Sequence, residues 1–256
     1  MSVEPDRQLV EALTRAERIV IFTGAGISTA SGIPDYRGPE GVWKTRQPVY
    51  FQDFMADEQA RLAYWTQKSE DWEAFGSADP NTVHAAVAKL EKADKLFLVL
   101  TQNIDGLHAD AGSSAERLVE LHGTNREVEC MQCHARHPAD SFYAEFPRTK
   151  KVPTCACGGF FKPATISFGQ DLREEDMQRA REAVFSADLM IALGSTLSVQ
   201  PAANFTQLAA RQGCPYFVIN RGPTEHDGHP LVSRRLEGDV LELFPPAVAA
   251  ALAMSG

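Results

Sequence analysis

Arg18-Ile19-Val20-Ile21-Phe22-Thr23-Gly24-Ala25-Gly26-Ile27-Ser28 is an apolar, β-branched run that breaks into a glycine-rich turn. Such a run, without polar alternation, suits a strand buried on both faces, as at the centre of a parallel sheet. Small residues straight after the strand let backbone N–H groups approach a pyrophosphate closely. The third glycine of the dinucleotide fingerprint is replaced by Thr29, and no acidic residue follows at the usual ribose-binding distance. Taken alone, the turn is also compatible with a tight strand–helix connection that holds no ligand.

Similar runs recur at residues 95–100, 118–121, 189–193 and 216–219. Between them lie helical patterns. Residues 81–92 place Val83, Ala86, Val87 and Leu90 on one stripe, and residues 173–185 are similarly amphipathic. Strands alternating with helices predict an α/β fold, a doubly wound Rossmann-like parallel sheet. Two stretches break the alternation. Residues 39–75 are aromatic-rich and read as a mostly helical insertion; residues 127–162 carry four cysteines and the basic run Arg148-Thr149-Lys150-Lys151. The expected organisation is one domain over residues 1–256. Its large lobe is drawn from about 1–38, 76–126 and 163–256, and its small lobe from 39–75 (helical) and 127–162 (zinc-binding). Residues 245–254, rich in alanine, read as a terminal helix.

Composition sets the class. With 256 residues, 44% hydrophobic and 23% charged, the chain has ordinary globular make-up. Acidic residues outnumber basic ones 34 to 25, a net charge of −9, which argues against direct nucleic-acid binding through a broad basic face. No apolar run approaches a membrane span. The opening MSVEPDRQLV resembles neither a signal peptide nor an organellar transit peptide, so the expectation is a cytoplasmic protein with no membrane partner. A monomer is the expected state.

Cys130-Met131-Gln132-Cys133 and Cys155-Ala156-Cys157 offer four thiolates in two close pairs. In a chain without an export signal, that clustering favours metal over disulfides. Four sulfur ligands satisfy a tetrahedral structural zinc ion and leave no open position for catalysis. Cys130 to His134 also matches the haem-attachment pattern, but haem would leave the second pair unexplained. Cys214, beside Pro215, reads as a buried apolar filler.

Polar blocks end the predicted strands: Thr101-Gln102-Asn103-Ile104-Asp105-Gly106-Leu107-His108 after one, Glu120-Leu121-His122-Gly123 after the next. Open α/β sheets bind ligands at such carboxyl ends. With Gly24 through Arg37, Lys162-Pro163 through Phe168-Gly169, Gly194 through Ala202, Asn220 and Gly238-Asp239-Val240, these blocks in this order resemble the sirtuin family of NAD-dependent protein deacylases. The resemblance extends over nearly the whole chain.

It implies a protein lysine deacylase that passes the acyl group of an acyl-lysine protein or peptide to ADP-ribose and releases nicotinamide, with NAD as co-substrate and zinc as a structural ion. His122 matches the catalytic histidine; an imidazole can accept a ribose hydroxyl proton near neutral pH. Asn103 and Asp105 complete the catalytic set, with Ile104 and Asp105 at the nicotinamide amide and Gln102 and Asn103 at the ribose. Other cofactor contacts fall on Gly24, Ala25, Gly26, Ser28, Thr29, Tyr36, Arg37, Gly194, Ser195, Asn220, Asp239 and Val240. Ile166 and Phe168 line the acyl-lysine tunnel, and Gly169 and Val199 flank the substrate peptide as an added strand. His84 and His108 read as helix-surface and loop residues.

Two positions depart from the family pattern. Gln170 replaces the acid after Phe168-Gly169. Tyr64-Trp65-Thr66-Gln67 places Gln67 where succinyl-removing members carry Arg, so neutral acyl chains are expected to be preferred unless Lys44, Arg46, Arg61 or Lys68 substitutes. The rival readings are an ADP-ribosyltransferase or NAD hydrolase on the same scaffold, a non-enzymatic NAD sensor and a Rossmann dehydrogenase. His122 favours deacylation, because acyl transfer needs a base on the ribose.

Overall fold

The structure, a computed structural model, describes residues 4–38 and 41–255; Pro39, the expected start of the helical insertion, lies outside them. In chain order the elements are α1 (Arg7–Arg15), β1 (Ile19–Thr23), α2 (Phe51–Ala56), α3 (Glu58–Gly76), α4 (Thr82–Lys92), β2 (Leu96–Thr101), α5 (Leu107–Asp110), β3 (Leu118–Glu120) and β4 (Gly123–Cys130). There follow β5 (Arg136–Pro138), α6 (Asp140–Thr149), β6 (Phe161–Thr165), α7 (Glu174–Ser186), β7 (Leu189–Leu193), α8 (Asn204–Arg211), β8 (Tyr216–Asn220), β9 (Arg234–Glu237) and α9 (Val240–Ser255).

Six strands form one parallel sheet in the order β3-β2-β1-β7-β8-β9. The two-residue period of each strand divides its side chains between two cores. Ile19, Ile21, Val99, Leu189 and Ile191 pack under α1, α4 and α9. Val20, Phe22, Leu98, Met190 and Ala192 pack under α7 and α8. Both faces are covered, and that is why these strands carry no polar alternation. The expected doubly wound α/β sheet is present, with strand ends within a residue of those read from the sequence.

Three features were not read. Strand β9 lies at the sheet edge and carries Arg234, Arg235 and Glu237, so it lacks the apolar run that marks the others. Helix α1 is capped by Asp6, whose carboxylate accepts Leu9 N–H at 3.0 Å. Lys95, expected to start a strand, is a buried anchor instead: its Nζ donates to Thr14 O at 2.9 Å and Ala16 O at 2.8 Å, where the dipole of α1 favours a cation.

The segments that interrupt the alternation share one core. β5, β4 and β6 form an antiparallel sheet, and Phe54, Tyr64 and Trp65 from α2 and α3 pack on it with Tyr143 and Phe146 from α6. Trp65 is at the centre, between the rings of Tyr143 and Phe146 at 5.7 Å each, and its indole N–H donates to Phe161 O at 3.0 Å.

This second sheet leaves the first at Gly123. Ile166 N–H donates to His122 O at 2.7 Å, and Gly123 pairs with Thr165. Gly123 has a φ of +71°, and a Cβ there would lie 2.0 Å from Ala164 O. We expect Gly123→Ala to destabilise the protein by more than the about 1–2 kcal/mol that a left-handed backbone alone costs. Urea denaturation followed by circular dichroism checks this; an unchanged midpoint would show that β6 moves aside freely.

Candidate active site

The chain order reverses between β1 and β7, so the crevice beyond their carboxyl ends is the place where such a sheet admits a ligand. The glycines here serve contact between loops. Gly24 N–H donates to Leu193 O at 3.0 Å and Gly26 N–H to Gly194 O at 2.8 Å. A Cβ on Gly24 would stand 2.7 Å from Ser195 Cβ, and one on Gly26 would stand 2.8 Å from Gly194 O. Ile27 and Ser28 N–H turn inward to Gly24 O and Ala25 O, giving a short 3₁₀ turn in place of a long helix. Among the amides of Gly24 to Ser28, that of Ala25 has no partner among the described residues.

Ser28 ties this turn to the loop after β2. Its Oγ, 1% exposed, donates to Asp105 Oδ2 at 2.7 Å and accepts from Asn103 Nδ2 at 3.1 Å. Asp105 Oδ1 accepts Leu107 N–H at 2.9 Å at the start of α5. Ser195 Oγ donates to Gln102 Oε1 at 2.8 Å, which brings in the loop after β7. Ile104 packs with Ile33, Phe75 and Leu107 in a separate apolar cluster. Arg126, which the sequence reading passed over, holds Asp105 O through its Nε at 3.0 Å. Thr29 is exposed and turns its hydroxyl to Gly26 O at 3.2 Å.

His122 stands beside this cluster. Its Nδ1 is 3.1 Å from Gln102 O. A carbonyl only accepts, so Nδ1 carries the proton and Nε2 presents a lone pair. Burial lowers the pKa of the imidazole below the ordinary 6.5; the bond to Gln102 opposes this, and the Arg37 guanidinium adds to it. His122 is therefore neutral at neutral pH, a ready base.

At the far end of the crevice, Asn220 Nδ2 donates to Arg221 O at 3.0 Å and Gly222 O at 3.1 Å. Asp239 pairs with Arg221, and its Oδ1 accepts Leu241 N–H at 2.9 Å at the start of α9, next to buried Val240. On the other side an aromatic wall surrounds Phe168: Trp43 at 6.2 Å, Tyr50 at 6.0 Å and the Arg37 guanidinium at 6.0 Å, with Tyr36 stacked on Trp43 at 5.2 Å. Trp43 and Tyr50 carried no motif. Phe51 N–H and Gln52 Nε2 hold Phe168 O and Gly169 O at 2.9 Å each. Val199 O accepts Ala203 N–H at 2.9 Å.

Four residues before Ile166 stands a buried lysine, whose pKa burial lowers. Lys162 is fully buried; its Nζ donates to Thr165 O and reaches Pro163 O and Gln170 Oε1 at 3.4 Å each. It stands 5.2 Å from the ring of Tyr64, whose hydroxyl meets Thr165 Oγ1 at 2.9 Å. Burial, the largest single effect, would raise the Tyr64 phenol; Lys162, Lys68 and the hydrogen bonds of Ser167 and Thr165 together outweigh it and pull it to about 7. Gln67 turns away, donating to Gln47 O at 3.2 Å. Arg46 is paired with Glu70 and Asp71, and Arg61 with Phe54 O and Met55 O.

His84 and His108, read as surface and loop residues, are both buried, at 0% and 2% exposure, with their rings 5.0 Å apart. α4 is covered on more than its apolar stripe, and the short α5 closes over it. Cys214 is buried as expected.

The four cysteines Cys130, Cys133, Cys155 and Cys157 bring their sulfurs within 4.8 Å of one another. Cys130 Sγ is 3.5 Å from Cys157 Sγ and Cys133 Sγ is 3.7 Å from Cys155 Sγ. Zn–S bonds of about 2.3 Å set a tetrahedral S···S edge of about 3.8 Å, so the cluster fits a structural zinc ion. A Cβ on Gly159 would lie 2.7 Å from Cys130 Sγ, which keeps that position small.

A family model described as Sir2 family matches residues 24–201. An NAD-dependent protein deacetylase of Rhodopseudomonas palustris is 44% identical over 221 residues, covering 86% of this chain and 87% of its own. NAD-dependent protein deacetylase 1 of Bradyrhizobium diazoefficiens is 41% identical and covers 93% and 94%. A solved Sir2 chain with a p53 peptide and NAD+ superposes with a TM-score of 0.86 at 31% identity, over 97% of this chain and 99% of that one.

Metal binding at these thiolates is coupled to folding of the sheet that carries them. We expect the protein to contain one zinc per chain by metal analysis, and a strong chelator to lower its thermal midpoint. A Cys155→Ser variant as stable as the parent, with full metal content, would remove that thiolate from the set.

Proposed function

The chain belongs to the Sir2 family, and from that premise we propose how its residues perform NAD-dependent protein deacylation, the activity of an enzyme of this kind. The observation that carries the reading is the contact of His122 Nδ1 with Gln102 O: a carbonyl only accepts, so Nδ1 is the donor and Nε2 is left with a lone pair to act as a base.

NAD supplies a ribose carbon that becomes electrophilic as nicotinamide leaves. The chain's own residues do the rest. The Ala25 amide takes a pyrophosphate oxygen, while Gly24, Gly26, Gly194 and Ser195 keep the two loops close. Asn103 and Asp105, locked by Ser28, orient the nicotinamide ribose and carboxamide, with Gln102 held in place by Ser195. Thr29, Tyr36 and Arg37 close over the dinucleotide, and Asn220, Asp239 and Val240 border its adenine end. Ile166 and Phe168 enclose the acyl-lysine, and Gly169 and Val199 take the substrate main chain between them. The acyl oxygen takes the ribose carbon that nicotinamide vacates; His122 Nε2 accepts a proton from the adjacent ribose hydroxyl, which attacks the acyl carbon. One water completes the transfer as the lysine amine leaves, so that acyl-lysine, NAD and water become lysine, O-acyl-ADP-ribose and nicotinamide. The catalytic unit is one domain of two lobes, acting as a cytoplasmic monomer. No helix among the described residues is long and apolar enough to cross a membrane.

His122→Ala should lower deacylation by about 10²–10⁴-fold while NAD still binds. Peptide turnover and calorimetric NAD binding, measured together, check this; full turnover would remove His122 from the mechanism. The base works only when neutral, so activity should hold down to a pH below 6.5 and then fall, and Arg37→Gln should move that fall to higher pH. A pH–rate profile with its acidic limb above 6.5 contradicts the assignment.

Neutral acyl groups fit the apolar wall of Ile166, Phe168 and Trp43. Arg46, Arg61 and Gln67 are engaged elsewhere, so none of them answers a terminal carboxylate, and burying one unpaired is costly. Acetyl- and octanoyl-lysine peptides should exceed the matched succinyl peptide in kcat/KM by about tenfold or more. A succinyl preference would give the carboxylate to Lys68 or Lys162, the cations beside Tyr64.

A further inference from the structure

The buried histidine pair is not idle filler. Asn81 N–H donates to His84 Nδ1 at 3.3 Å, so His84 carries its proton on Nε2. On the other side, Thr23 Oγ1 gives its one proton to Thr101 Oγ1 at 2.8 Å. Only lone pairs of Thr23 are then left for His108 Nε2, 3.0 Å away, so that nitrogen is the donor and His108 Nδ1 is bare. The two remaining ring atoms, His84 Nε2–H and His108 Nδ1, have no partner in the structure. One is a donor and the other an acceptor. They belong to buried rings in contact, edge to face, where an unmet hydrogen bond is expensive.

The chain of bonds does not stop at Thr23. Thr101 Oγ1 also accepts Asn103 N–H at 3.0 Å. At the opposite end, Asn81 Nδ2 donates to Ile27 O at 2.7 Å, on the glycine turn. We propose that a single buried water joins His84 Nε2–H to His108 Nδ1, completing a chain from the cap of α4 through both histidines, Thr23 and Thr101 to the backbone of Asn103, and that the two histidines are thereby positioning residues for Asn103. A water accepting one bond and donating another is the smallest group that satisfies both orphans. Neither ring carries charge in this role. Burial, then the neighbouring imidazole, takes His108 down to about 3, and burial lowers His84 against the pull of Asp105, so both tautomers stay fixed across the working pH range. The reading of Asn103 as a ribose-orienting residue is taken from the proposed function; the hydrogen-bond chain itself is not.

Two measurements on the whole 256-residue chain separate these parts. In ¹⁵N-histidine-labelled protein, long-range ¹H–¹⁵N correlation should report His84 and His108 both as neutral Nε2–H tautomers, and a high-resolution crystal structure should show a water within hydrogen-bond distance of the two orphan atoms. A His108 Nδ1–H tautomer, or no water there, overturns the chain whatever the enzyme does. In turnover assays His108→Phe and Thr23→Val should each lower kcat by about tenfold or more with the peptide KM nearly unchanged. The double variant should be no slower than the worse single one, because both break the same chain. His108→Gln, which keeps a donor and an acceptor, should recover most of the rate. Effects that multiply, or a His108→Gln variant as slow as His108→Phe, overturn the positioning role. Thr23→Val keeps the shape of its site, so it remains informative if His108→Phe does not fold.

Discussion

A backbone hydrogen bond from Gly26 to Gly194 holds together the two loops at which the sheet reverses its order. Almost everything at the crevice follows from how close that bond brings them. No side chain fits between the loops, which accounts for glycine at positions 24, 26 and 194. The contact takes the amides of Gly24 and Gly26, the turn itself takes those of Ile27 and Ser28, and Ser28 is set where it can grip both Asn103 and Asp105. The dinucleotide fingerprint is incomplete for a physical reason: this turn is shaped first by its neighbour loop.

The second sheet meets the first at His122 and Gly123, so the proposed base sits where the two sheets join. Its carbonyl is tied to Ile166, and its ring to Gln102 on the far side. A small movement of β6 would be felt at both. The buried Lys162 gathers the carbonyls of Pro163 and Thr165 and the Gln170 amide around its Nζ. Burial lowers the pKa of Lys162, and the neighbouring Tyr64 phenol and the Glu129 carboxylate oppose that shift.

Much of this was legible in the amino-acid order. Five of the six parallel strands were visible as apolar runs because both faces of the sheet are covered, and the cysteine spacing announced four sulfurs around one point. The polar blocks at strand ends mark the crevice in the sequence itself. What could not be read depends on contacts between distant segments. Arg234-Arg235-Leu236-Glu237 becomes a strand only because β8 offers it an edge. His84 falls beside the apolar stripe of α4, and only the approach of α5 buries it. Lys95 and Lys162 are cations by composition and core residues by position; nothing local distinguishes them from the exposed lysines nearby. Trp43 and Tyr50 face Phe168 across more than a hundred residues of chain.

Trp65 has a consequence for the order in which the molecule can be made. Its ring is covered by Tyr143 and Phe146 and its N–H is satisfied by Phe161, all of which leave the ribosome well after α3 is complete. At about 5–20 residues per second, translation leaves the apolar face of α2 and α3 waiting several seconds for its partners. During that interval Phe54, Tyr64 and Trp65 have no sheet to lie on, and the first three strands of the large sheet still lack β7. The nascent chain therefore passes through a long stage with two unfinished cores, and the thiolates that gather a metal ion arrive only as the smaller one can close.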